Sequence, residues 1–181
     1  RDAIAASLTA YRQRLHDEIL TVFPPPTFLG TTINLDSTSH RQGIEAELEW
    51  HIADQFRLGA NYAYLDATEP QADVRVRELM RPKHSGSVTA DGASGRWSYG
   101  ASLAYVGQHF DSRDVFPFDR VALGSYWLAG ARVAYEVRPG IEIFARGSNL
   151  LDQTYQDVFG YRTEGRAVFA GIRLARRRSS P

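Results

Sequence analysis

The sequence has no cysteine, which excludes a disulfide framework, a thiolate metal site and a cysteine nucleophile together. It has no excess charge of either sign, with 21 lysines and arginines against 21 aspartates and glutamates. Long-range attraction to nucleic acid therefore has no basis. Long hydrophobic runs are missing too, since no stretch approaches the roughly 18 to 20 apolar residues that a membrane-spanning helix needs. That absence removes a helical membrane protein but not one that crosses with strands, because a barrel wall needs apolar residues only at every second position. Neither an initiator methionine nor a signal-peptide pattern precedes Ala3 to Leu8, where strand-like alternation is already under way. The chain is read as a fragment of something longer.

What the sequence does have is alternation. From Gly43 to Ile52, Ile44, Ala46, Leu48, Trp50 and Ile52 fall on one face and Glu45, Glu47, Glu49 and His51 on the other, a period of two that predicts a strand. Phe56, Leu58, Ala60, Tyr62 and Tyr64 repeat the stripe, and so do Trp97, Tyr99, Ala101, Leu103 and Tyr105, and then Trp127, Ala129, Ala131, Val133, Tyr135 and Val137. Ile141, Ile143 and Ala145 continue it, and Val168, Ala170, Ile172 and Leu174 close it. Weaker strands are expected from Ile4 to about Asp17 and from Lys83 to Ala90, for about eight in all.

The connections alternate in length. Tight turns are expected at residues 53–55, 91–95 and 138–140, and long polar or aromatic loops at about 19–40, 67–80, 108–122 and 152–164. Short turns at one end and long loops at the other are the habit of transmembrane barrels. Period-two stripes alone fit a soluble β-sandwich or a lipocalin-like binding module as well. Aromatics toward the stripe ends, at the level of membrane interfaces, and a glutamate-rich opposite face favour the barrel.

Near the end, Asn149-Leu150-Leu151-Asp152-Gln153-Thr154-Tyr155 is followed by Phe159-Gly160-Tyr161-Arg162-Thr163-Glu164-Gly165-Arg166 and an alternating last strand. This order resembles the end of TonB-dependent outer-membrane receptors. Within that family the tail is most similar to cobalamin transporters. Ser39 to Glu49, Arg81-Pro82-Lys83, and Tyr105-Val106-Gly107 with Phe116-Pro117-Phe118 also resemble family segments. The resemblance implies an all-β fold, an antiparallel transmembrane β-barrel, with residues 1–181 as the C-terminal eight or so of about 22 strands. The plug domain and the N-terminal barrel strands would lie outside it.

The implied function is active uptake of cobalamin or a related corrinoid across the outer membrane of a Gram-negative bacterium, or else of a ferric siderophore. The implied partners are that ligand, outer-membrane lipid and lipopolysaccharide, and the TonB energy-transducing complex reached through the missing N-terminal region. No nucleic acid, cofactor or metal is implied. One departure is the terminus: Arg176-Arg177-Arg178-Ser179-Ser180-Pro181 stands where the family ends on an aromatic, which means a variant tail or less efficient assembly.

Asn149 and Asp152 have side chains suited to hydrogen bonds where a strand ends, and Gly160 and Gly165 suit loop conformations that a β-carbon resists. Leu150, Tyr155 and Arg166 complete the family motif. Tyr161 offers an apolar face and a hydroxyl to a ligand above the lumen, as the resemblance places its loop. Arg113 and Asp114, with Asp111, Asp119 and Arg120, read first as a hydrated loop and second as ligand contacts. Phe116 and Phe118 join them as aromatic candidates. His109-Phe110-Asp111-Ser112 contains hydrolase residue types, but without a nucleophile elbow or a positioned base it predicts no enzyme. Glu45, Glu47 and Glu49 read as a solvated face before a cation site.

Overall fold

The computed structural model describes residues 3–34, 36–71, 74–113 and 119–175. Eight long strands form one antiparallel meander: β1 (Ala3–His16), β4 (Thr38–Ala53), β5 (Phe56–Gln71), β7 (His84–Ser94), β8 (Trp97–Val106), β11 (Tyr126–Arg138), β12 (Ile141–Ser148) and β13 (Ala167–Leu174). Five short strands decorate its long connections. These are the hairpins β2 (Ile19–Val22) with β3 (Thr31–Asn34) and β9 (His109–Ser112) with β10 (Arg120–Leu123), and β6 (Val74–Arg77), which folds back on β5.

Register decides which stripes meet. Ile4 pairs with Trp50, Ala6 with Leu48 and Leu8 with Ala46, and these continue to Leu58, Ala60 and Tyr62 on β5. The same face runs on through Ala90 and Val88 to Ala101 and Leu103, then to Ala131 and Ala129, and ends at Val168, Ala170 and Ile172. A one-residue slip anywhere would turn a strand's stripe to the wrong side. The result is one apolar face across all eight strands and, behind it, one polar face.

Little is enclosed between layers. Among the described residues the buried apolar side chains are Ala67, Leu123 and Tyr126, whereas Leu8, Leu103, Trp97, Val133 and Ile172 are exposed. The chain exposes 13313 Å², against about 8,800 Å² for a compact monomer of this mass. A sandwich or lipocalin buries its stripe against its own chain. This stripe has no such cover.

Aromatic side chains bracket the apolar face at constant spacing: Phe56 and Tyr64, Trp97 and Tyr105, and Trp127 and Tyr135 each lie eight residues apart. At roughly 3.3 Å per residue that is about 26 Å along a strand, or about 20 Å along a membrane normal at a tilt near 40°. Across the sheet the rings meet in pairs, Tyr105 with Trp127 at 4.7 Å at one level and Trp97 with Tyr135 at 4.8 Å at the other.

Three details differ from the sequence expectation. The second tight turn is Gly95-Arg96, between Ser94 and Trp97, because strand pairing continues through Asp91, Gly92, Ala93 and Ser94. β4 and β5 overrun their apolar stripes by several residues on the long-loop side, since cross-strand backbone bonds do not require an apolar side chain. The long loops also carry strands of their own, which short irregular sequences conceal.

Candidate functional site

The long-loop ends of the strands gather the chain's densest polar contacts, and each loop is tied to the next. Arg41 of β4 starts the series. Its Nε donates to both carboxylate oxygens of Glu78 at 2.8 Å, and its Nη2 reaches Glu18 at 3.0 Å, so one guanidinium joins the first loop to the second. Arg81 adds a longer contact to Glu78 at 3.5 Å. Burying the Glu78 carboxylate is tolerable only because cations face it.

The second loop meets the third through Arg120, which donates to Glu69 at 3.1 Å and to the Arg77 carbonyl, and through the Met80 N–H, which donates to the Phe110 carbonyl at 2.7 Å. The third meets the fourth at Asp111, whose carboxylate accepts the N–H of Phe159 and that of Ser112, both at 2.8 Å. Tyr126 completes this joint by donating to Asp157 at 2.6 Å while its ring lies 4.2 Å from that of Tyr155. The His109 ring is buried between the carbonyls of Gly107 and Asp157, each 3.3 Å away. A neutral imidazole donates to only one of them at a time. His109 and Asp111 thus hold two loops together. Sequence reasoning missed Asp157 and Phe159 as their partners and Tyr126 as the donor to Asp157, and separations of 48 and 31 residues leave no local signal.

The family-motif residues build the fourth loop from within. Asn149 adopts a positive φ of 46°, and its amide donates to the carbonyls of Gln153 at 2.9 Å and Glu164 at 3.2 Å while its oxygen accepts the Gln153 N–H at 2.9 Å. Asp152 accepts the Arg166 N–H at 3.0 Å. Leu150 covers Gly147, the Tyr155 carbonyl accepts from Thr163, and Gly160 has a φ of 82° that favours glycine. Gly165 needs a different explanation from the one expected. Its φ is not positive, and a β-carbon there would sit 3.3 Å from Asp152 Oδ1, so close approach matters and not a left-handed turn.

Of the expected ligand contacts, Tyr161 is 65% exposed on the fourth loop. Arg113, also exposed, places its guanidinium 5.6 Å from the centre of the Phe159 ring, two residues from Tyr161. Asp114, Phe116 and Phe118 lie outside the described residues, as does the 176–181 tail. Among the described residues no group of three or more acidic or histidine side chains is arranged to hold a metal. Glu49 faces His51 at 3.1 Å and Arg57 at 3.8 Å instead.

The polar face carries a second feature nearer the tight turns. Arg57 pairs with Asp91 at 3.4 Å, and Asp91 reaches past an entire strand to Arg132 at 2.7 Å. Gly100 occupies the intervening position, and a β-carbon there would lie 2.5 Å from Asp91 and 2.9 Å from Arg132. The glycine is the gap through which the pair forms.

A family model for the β-barrel of TonB dependent receptor-like proteins matches residues 1–150. The chain belongs to that family. TonB-dependent receptor barrels are outer-membrane proteins of Gram-negative bacteria, and the continuous apolar face follows from that setting. Solved structures agree in fold. The siderophore receptor PiuA from Acinetobacter baumannii superposes with a TM-score of 0.71 at 19% identity, over 93% of this chain and 26% of that one. The ferric-catecholate import receptor Fiu from E. coli K12, in its closed form, gives 0.75 at 19% identity, over 94% and 25%. The pyoverdine outer membrane receptor FpvA from Pseudomonas aeruginosa gives 0.76 at 15% identity, over 95% and 27%. The receptor-barrel chain therefore spans about a quarter of the length of these structures.

Proposed function

We propose that this receptor-barrel chain is the C-terminal part of an outer-membrane receptor for active uptake of a scarce, bulky nutrient, with the four cross-tied loops on the ligand side. The remaining wall strands, the plug and the contact with the TonB energy-transducing complex belong to the rest of such a receptor. The observation that carries this reading is the paired-face sheet, apolar and aromatic-rimmed on one side and polar on the other, with only three apolar side chains buried among the described residues. Lipid covers the first face and the lumen lies against the second.

For the substrate, a ferric siderophore is the better-supported reading. The similar solved structures named above are siderophore, ferric-catecholate and pyoverdine receptors. Arg113 beside Phe159, with Tyr161 exposed close by in sequence, suits an anionic, partly aromatic chelate. A corrinoid is the second reading, and the likeness of the Asn149 to Arg166 tail favours it. That support is weak in physical terms, because Asn149, Asp152 and Thr163 are consumed in building their own loop.

Binding to the full-length receptor in detergent separates the two, using calorimetry with ferric catecholates, ferric pyoverdine and cyanocobalamin. Micromolar or tighter binding of a ferric chelate, weakened about tenfold by Arg113→Ala or Tyr161→Ala, is expected. Binding of cyanocobalamin alone would transfer the assignment to the corrinoid. No binding of any of the three would sink both substrates.

A further inference from the structure

The fourth loop carries Tyr161 on a small turn. The Tyr161 N–H donates to the Val158 carbonyl at 3.2 Å, and Gly160 inside the turn has the positive φ of 82° that favours glycine. Closing the turn fixes where the Tyr161 side chain starts relative to Phe159. It does not fix the turn relative to the neighbouring loop. The second residue of the turn does that, because the Phe159 N–H points outward and donates to Asp111 Oδ2 at 2.8 Å. A charge-assisted bond thus fastens the turn to β9 of the third loop.

Asp111 is buried, and its other carboxylate oxygen accepts the Ser112 N–H at 2.8 Å. Two backbone donors converge on one side chain, and each takes its own oxygen. Two residues further along, the Arg113 N–H donates to the Asp119 carbonyl at 3.0 Å, which draws the third loop together, and its guanidinium lies 5.6 Å from the centre of the Phe159 ring. Phe159 is therefore held through its main chain by Asp111 and faced through its ring by Arg113. The preceding part of the fourth loop is braced as well, since His109 and Tyr126 both reach Asp157. Tyr161 is exposed at the end of this assembly, whereas Asp111 is enclosed behind it.

We propose that Asp111 is a positioning residue for ligand binding: by holding the Phe159 N–H it fixes the Val158–Tyr161 turn against the third loop, so that Arg113, Phe159 and Tyr161 meet a ligand as one surface assembled beforehand from two loops. The inference rests on the ligand-side reading of the loops above, and it adds a determinant of affinity that does not touch the ligand. Ordering two loops during binding costs free energy that weakens the complex, and a joint that orders them in advance removes that cost. The carboxylate is specifically needed. An asparagine keeps the shape but has one acceptor oxygen, and its amide group would confront the second N–H donor to donor. Loss of a hydrogen bond to a buried charged group corresponds to about a tenfold change in the equilibrium it supports.

The test uses the full-length receptor in detergent, with a ferric catecholate, ferric pyoverdine and cyanocobalamin as probes for calorimetry, and residue-resolved amide exchange with and without the probe that binds. Asp111→Asn should weaken that probe about tenfold and speed exchange over residues 157–161 by a similar factor, with the melting temperature of the barrel unmoved. Because Asp111 acts through the turn that carries Tyr161, Asp111→Asn/Tyr161→Ala should also bind about tenfold more weakly, well short of the roughly hundredfold loss that independent effects would multiply to. If Asp111→Asn does not fold, the unmodified receptor still decides: the Phe159 amide should be protected before any probe is added and gain nothing from it. Unchanged affinity in Asp111→Asn, a fully multiplicative double variant, or a Phe159 amide protected only in the complex would each overturn the proposal. A receptor that binds none of the three probes sinks the ligand-side reading and the proposal with it, whereas a probe held equally by the unmodified receptor and Asp111→Asn overturns the proposal alone.

Discussion

His40 lies outside the membrane-spanning stretch of its strand, among Arg12, Arg14 and His16 from β1 and Arg75 from β6. Partial burial, then the positive charge of Arg75, Arg14, Arg12 and His16, holds its pKa below the ordinary 6.5. A histidine whose folded pKa is lowered binds fewer protons than the same residue in an opened strand, so stability rises with pH. Above about 6.5 both states are neutral and nothing is lost; as pH falls through 6.5 the opened state takes its proton first and the strand end loosens. Amide exchange over residues 38–42 should therefore accelerate between pH 7.5 and pH 5 by more than intrinsic chemistry predicts. His40→Gln should flatten that excess, and an unchanged slope in the variant would show that another group is responsible. At this scale the sequence was readable only in part: Asn149, Asp152 and Gly160 were identifiable as loop builders from residue type, whereas the reason for Gly165 depended on where Asp152 came to rest.

At the level of strands, the two faces of β8 differ in what they tolerate although their residues are adjacent. Leu103 is on the apolar face between Val88 and Ala129, and Ser102 on the polar face between Thr89 and Gly130. A charge on the lipid side near mid-height costs about 2–4 kcal/mol, and one on the lumen side much less. Leu103 lies between mid-height and the Tyr105 rim, so Leu103→Arg is expected to lower the urea stability of the folded barrel by about 2 kcal/mol in lipid vesicles, and Ser102→Arg by less than 1 kcal/mol on the same grounds. Equal costs would reject the assignment of faces. The strands were legible because alternation is local and repeats. Their full lengths were not, because β4 and β5 extend on backbone bonds to neighbours, and hairpins such as β9 with β10 depend on pairing across residues whose side chains show no stripe.

Taken whole, the chain is a strand-built wall whose two surfaces have different surroundings, and its three tryptophans report on one of them. Trp50 and Trp97 stand toward the tight turns and Trp127 toward the long loops, all on the apolar face. In vesicles containing brominated lipids, single-tryptophan variants of the full-length receptor should be quenched more by bromines near the headgroup than by bromines at the chain ends. Quenching that is deepest at mid-membrane, or absent, would contradict the two-rim arrangement.

The alternation of side chains along each strand, the aromatic spacing and the short and long connections were determined by the sequence itself. Each depends on residues within a dozen positions of one another, where backbone geometry alone sets direction. The tertiary structure decided what lies beside what: the Asp91 to Arg132 pair across Gly100, the chain of contacts from Glu18 to Asp157 that binds four loops, and the hold of Asp111 on the turn that carries Tyr161. Those contacts join residues tens of positions apart, and their existence depends on strand register and the path of the loops, which no local pattern specifies.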